Sequence, residues 1–283
     1  MADIQSLAAR VTSLISFPDA SVKITQALAK EDFDLAEIAR IIEVDPALSV
    51  ALLRAGNGAA HNTGIPIDTV QKAVTRLGLT QVRQLVLAIE ASHSFDSLPN
   101  ELWSLKDFWE HSLTCGCYAS ELSRRLGACV PETAFTAGLL HDIGELVMFS
   151  QMPDEARDCI EMSLDSESPD DGLHQIEQRV FGFTHADVGA ELAKLWKLPQ
   201  TLVDSIAYHH DIQLYSGDSP LPELVHMANS YAILHEIEST DYEDAPAIEV
   251  NIWQKYGLVD VDIEQLRASV VDTLKEMKKI FIH

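Results

Sequence analysis

The 283-residue chain carries 20 Lys and Arg against 44 Asp and Glu, a net charge of -24 that repels the phosphate backbone and argues against a nucleic-acid partner. Hydrophobic residues at 47% and charged residues at 23% are ordinary for a globular protein and argue against a disordered or fibrous chain; the length suits one large domain or two smaller ones. The opening "MADIQSLAARVTSLISF" has an acid before any base and is too short and too polar for a spanning helix, so the expectation is a cytoplasmic protein without a membrane partner.

The first hundred residues read as short helices with their own start and stop signals. Asp34 is placed to cap a helix, with Glu37 three residues on and Leu35, Ile38, Ile41 and Ile42 as its apolar stripe. Asp45 caps the next helix, Pro46 takes its first position, and Gly56, Asn57 and Gly58 end it. Two amphipathic helices then flank Gly78, with Val70, Val74 and Leu77 before it and Val82, Leu85, Val86 and Ile89 after. A helix-turn-helix DNA reader shares that outline, but the acidic charge favours plain packing units, with Arg76 and Arg83 solvated or paired. "HSFDSLPNELW" reads as a connector and puts a lobe boundary near residue 97.

Helical patterns continue over Asp107–Gly127, Glu132–Phe149, Thr184–Leu198 and Pro199–His210, with Thr184 and Asp187 placed as a capping box. The acidic stretch Asp165–Gly172 and the stretch Ser239–Val250 read as loops. Asp262–Phe281 is one more amphipathic helix, with Ile263, Leu266, Val270 and Leu274 on one face. Alternating strand patterns are scarce, so the fold class expected is all-α. The four cysteines, Cys115, Cys117, Cys129 and Cys159, are too few and irregular for a disulfide framework and read as reduced thiols, the first two packed in a helix.

Five of the 11 histidines fall in a pattern: His111 in "FWEHS", His141 beside Asp142 in "GLLHDIGEL", His185 in "THADVG", and His209-His210 in "YHHD". Several helices could bring these imidazoles and one carboxylate to a point. Such a mixed set suits Fe, Mn, Ni or Zn, and an ion so held lowers the pKa of bound water toward a hydroxide able to attack a phosphoester. Taken singly, each histidine could equally be a hydrogen-bonded core residue. Neighbours on a helix point about 100° apart, so His141 and Asp142 could share an ion only above the gap between them. His209 steps with Leu202 and Ile206, His210 with Val203 and Ile206, and both are expected to face inward.

At these residues the sequence resembles a known family. "FWEHS", "AGLLHDIGEL", "HADVGAELAKLWKLP" and "SIAYHHD", preceded by "FPDASVKITQAL", "IARIIEVDPALSVALLRAGNGA" and "TVQKAVTRLGLTQVRQLVL", follow the order of the HDOD family, the HD-related output domain of bacterial signalling proteins. The resemblance spans residues 14–212, with a helical lobe to about residue 97, an HD-type lobe from about residue 98, and a helical extension over 213–283. It implies a multi-helix HD-domain-like bundle with an N-terminal helical lobe, related to HD and HD-GYP metal-dependent phosphohydrolases. In that comparison His111 matches the first HD histidine, His141 and Asp142 the tandem pair, and His185, His209 and His210 the further histidines of the HD-GYP branch.

The departures are specific. Glu145 stands where the HD-GYP enzymes carry a lysine, replacing a cation that stabilises phosphate charge by an anion that repels it. Asn229 falls where the last metal-binding aspartate belongs, and no GYP motif follows His210. The resulting expectation is a non-catalytic signalling module that works through a protein partner and keeps a metal site. The alternative is a metal-dependent phosphohydrolase with Asp142 at its catalytic centre.

Overall fold

The computed structural model describes residues 4–12, 19–28, 34–58, 65–95, 104–166, 172–241, 248–257 and 262–281. Among these there is no strand, and the protein is all-α. The helices run α1 (Ile4–Thr12), α2 (Asp19–Leu28), α3 (Leu35–Glu43), α4 (Pro46–Asn57), α5 (Val70–Leu77), α6 (Leu79–Ser94), α7 (Leu105–Leu126) and α8 (Pro131–Leu140). They continue as α9 (Ile143–Gln151), α10 (Pro153–Leu164), α11 (Leu173–Phe181), α12 (His185–Leu195), α13 (Gln200–Tyr208), α14 (Leu221–Glu236), α15 (Val250–Tyr256) and α16 (Ile263–Phe281). The expected lobe boundary near 97 lies outside the described residues, as do most of the acidic loop and much of the stretch 239–250.

Local chemistry sets the boundaries. Asp34 accepts from the Ala36 N–H, and Asp45 accepts from Ala47 and Leu48 ahead of Pro46, so two otherwise orphaned first turns are satisfied. The expected capping box holds at α12: Asp187 N–H donates to Thr184 Oγ1 while Thr184 N–H donates to Asp187 Oδ2. Gly78, at φ 81°, turns α5 into α6, and Arg76 is pinned by the Gly56 and Ile65 carbonyls. Buried residues lie all around α6, so it offers no recognition face to DNA.

One hydrophobic core joins Leu7 on α1 to Phe281 at the end of α16. α7 packs on α8, α14 and α16, while α12 packs on α9, α13 and α1. Cys115 and Cys117 are buried on α7, and the described cysteines are free thiols. The N-terminal stretch, from which the sequence offered only the absence of a spanning helix, buries Leu7, Ala8 and Val11.

Glu132–Phe149, which reads as one helix in sequence, is two. α8 stops at Leu140, α9 starts at Ile143, and Asp142 sits between them at φ -101°, ψ 13°. The spacing argument for neighbours on a continuous helix therefore does not hold for His141 and Asp142. Gly144 then brings α9 against the start of α12: a Cβ there would stand 1.9 Å from the His185 carbonyl oxygen and 2.6 Å from the Gly189 nitrogen. Only a residue without a side chain lets these two backbones meet.

Candidate metal centre

The six residues singled out in the sequence come from four places in the fold and meet around Asp142. His111 lies on α7, His141 and Asp142 in the break between α8 and α9, His185 opens α12, and His209 and His210 follow α13. His141, Asp142, His185 and His209 are buried. One oxygen of Asp142, Oδ2, lies 2.8 Å from His141 Nε2 and 3.6 Å from His111 Nε2. The other, Oδ1, lies 3.1 Å from His209 Nε2 and 3.6 Å from His185 Nε2. His210 Nε2 joins the second group, 3.0 Å from His185 Nε2.

Helix ends explain how the rings are aimed. The last-turn carbonyls of an α-helix have no helical N–H partner. At the end of α8 the Gly138 carbonyl accepts from His141 Nδ1 at 2.7 Å, and at the end of α13 the Ile206 carbonyl accepts from His209 Nδ1 at 2.8 Å. Each histidine thus satisfies its own helix three residues back and turns Nε2 inward. Carboxylates do the same for the other two: Glu236 on α14 holds His111 Nδ1 at 2.8 Å, and Glu177 on α11 holds His185 Nδ1 at 2.7 Å and its backbone N–H at 2.8 Å. A carbonyl or carboxylate can only accept, so Nδ1 carries a proton in each of these rings and Nε2 is the atom turned to the centre.

The donor set and the unsatisfied atoms both fit a metal. His141 Nε2, Asp142 Oδ1 and His209 Nε2 are buried with no hydrogen bond. The His141–Asp142 approach is close enough for an ion pair but is not directed as a hydrogen bond. Such atoms are costly in a protein interior unless a cation or donor meets them. Two ligand groups have atoms mutually within 4.8 Å: Asp142 with His185, His209 and His210, and Asp142 with His111 and His141. The shared carboxylate presents one oxygen to each group.

Protonation follows the same electrostatics. Burial pulls the His185 pKa down, but the charge and hydrogen bond of Glu177, with Glu145 and Asp142, more than offset it and lift it to about 10. For His111, burial is likewise outweighed by the Glu236 hydrogen bond and charge, and the value rises to about 9. Asp142, despite burial, is held well below the ordinary carboxylate range by His141 and His209. Burial, then the charge of Asp142, raises Glu145 to about 8.

The centre lines a cavity of about 1000 Å³ that also reaches Asn229 and Glu145. Lys278 is the one Lys or Arg among its described lining residues, and it is paired with Glu110 at 2.9 Å. Sequence reasoning missed Glu177, Glu236 and His174, whose ring stacks on His210 at 4.0 Å between centroids and 5° between planes. Glu177 and His185 lie on different helices, α11 and α12, and Glu236 meets His111 across 125 residues.

A helical bundle that gathers histidines from several helix ends around one aspartate is the architecture of the HD-type domains. The family model of the HDOD domain matches residues 14–212, and the chain belongs to the HDOD family. A relative from Treponema pallidum (strain Nichols) is 27% identical over 243 residues, covering 85% of this chain; the chain spans 46% of that relative's length. The crystal structure of an HDOD domain protein with unknown function from Geobacter sulfurreducens is similar in fold, with a TM-score of 0.77 and 24% identity over 99% of this chain and 98% of that one. A protein from Shewanella amazonensis SB2B, described as a "Putative phosphohydrolase", has a TM-score of 0.74 and 27% identity over 97% of each chain.

Proposed function

We propose that this HDOD protein is a metal-binding signalling module that passes its state to a protein partner and does not hydrolyse phosphodiesters. The observation that carries the metal-binding part of the reading is the Asp142 carboxylate, set between two groups of histidines, of which His111, His141, His185 and His209 have their outer nitrogens anchored. His111, His141, Asp142, His185, His209 and His210 are the residues to hold Fe, Mn, Ni or Zn. Such an ion, when bound, supplies Lewis acidity and an acidified water.

What the wall around that centre does argues against a phosphate substrate. Glu145 puts a carboxyl group and Asn229 an amide beside the centre, neither of them a cation, and Lys278 is occupied by Glu110. A transferring phosphoryl group needs fixed positive charge aimed at its oxygens, and these side chains leave none unpaired. The module is proposed to act in the cytoplasm on another signalling protein; among the described residues no helix is long and apolar enough to cross a membrane.

The test pairs metal analysis with turnover. The purified protein is expected to retain or take up a transition metal and to leave bis(p-nitrophenyl) phosphate and cyclic dinucleotides intact. Metal-dependent hydrolysis that disappears in Asp142→Ala would establish the phosphohydrolase reading instead. The shared carboxylate between two histidine groups is the feature that favours that second reading.

A further inference from the structure

Outside the histidine and Asp142 ligand set, the cavity wall carries the carboxylates of Asp107, Asp211, Glu238 and Glu249. None of the four is within ion-pair distance of a Lys or Arg among the described residues, and the Asp211 carboxylate accepts only from Gln213 at 3.3 Å. Nor, among the described residues, does any of the four belong to a group of ligand atoms close enough to share one ion. They are spread over the wall, so their charge is matched by several cationic groups held apart on one molecule.

Two further features describe that molecule. Asn229 is 6% exposed, lines the cavity, and its Oδ1 has no donor, so it is placed to accept an N–H bond from a bound group. Phe108, Leu173 and Ile233 share the same wall and offer apolar contact to a hydrocarbon segment. From this we infer that the cavity binds a small organic polycation of the alkyl polyamine class, its ammonium groups on the carboxylates and Asn229 and its methylenes on the apolar side chains. The inference rests on the reading of this cavity as the functional site, and it assigns the signalling module a cationic small-molecule input.

The experiment is calorimetric titration of spermidine into the full chain at physiological salt, with and without saturating Mn, alongside a metal melt of the same preparations. One saturable site is expected. Glu238→Gln/Glu249→Gln should weaken it about tenfold or more, a change of about 1.4 kcal/mol or more. Asp154→Asn/Asp272→Asn, which removes two charges from the exposed surface, should leave it unchanged. If the first pair fails to fold, Asp211→Asn serves in its place. No saturable binding, or equal weakening by both pairs, overturns the inference, the latter showing only screening of an acidic protein. A metal-stabilised protein that ignores spermidine sinks this inference and spares the metal reading; spermidine binding without any metal effect does the reverse.

Discussion

Gly144→Ala is the sharpest probe of how the centre is assembled. The added Cβ would lie 1.9 Å from the His185 carbonyl oxygen and 2.6 Å from the Gly189 nitrogen, both backbone atoms that no rotamer change can move. An ordinary carbon-to-oxygen contact is about 3.5 Å, so α9 and the first turn of α12 must part by more than an ångström in a core packed to crystal-like density. Overpacking of this kind costs about 3 kcal/mol, while the better helix propensity of alanine returns at most about 1 kcal/mol. The net loss of about 2 kcal/mol corresponds to a fall in Tm of roughly 4–8 °C for a chain of this size. His185 moves with its carbonyl, so its Nε2 draws away from Asp142 and metal affinity falls in the same variant. Thermal melts followed by circular dichroism, with and without Mn, read both effects. A variant that melts at or above the wild-type temperature would refute the close-packing argument, because propensity alone predicts that outcome.

Saturation with Mn, Fe, Ni or Zn at about 100 times the dissociation constant should stabilise the protein by roughly 2.7 kcal/mol, and Asp142→Ala should abolish the shift; no shift with any of the four would mean a purely hydrogen-bonded cluster. Glu177→Gln keeps the shape of the side chain that holds His185 but removes its charge, and should weaken metal binding about 10- to 100-fold as read by calorimetry, with the fold retained. His235, bonded to the Tyr118 hydroxyl, has its pKa lowered by burial and then by Arg267, with Lys278 adding to Arg267 and Glu236 and Glu238 opposing it. Its unfolded form therefore takes up a proton first, near pH 6.5, so this histidine's contribution to stability is present above that value and lost on acidification; His235→Gln should flatten melting temperature against pH between about 7 and 5. At physiological salt, gel shifts should show no sequence-selective DNA binding, given the net charge of -24.

What could be read from the sequence is what is decided within a few residues. Asp34, Asp45 and the Thr184–Asp187 box act on the first turn beside them, so their caps were visible, and the stripe of Ile263, Leu266, Val270 and Leu274 is buried as its spacing requires. The helix break at His141-Asp142 was hidden because apolar residues continue on both sides, from Ala134 and Leu139 to Val147 and Phe149. The break is made by two things that periodicity does not report: an imidazole that caps the carbonyl of Gly138, and a glycine at 144 whose reason for being there is the backbone of α12.

The same division runs through the centre itself. Its inward ligands are histidines and an aspartate, residue types conspicuous enough in an apolar run to be noticed one by one. The groups that give them direction are of two kinds. His141 and His209 are oriented by carbonyls three residues back, and a histidine placed at the end of an apolar helix could have announced that role. His111 and His185 are oriented by Glu236 and Glu177, and a glutamate among 44 acidic residues carries no mark until α14 has packed on α7 and α11 has reached α12. These two carboxylates also raise the proton affinity of the rings they hold, so they set both where the ligands point and how strongly a proton competes with a metal for them.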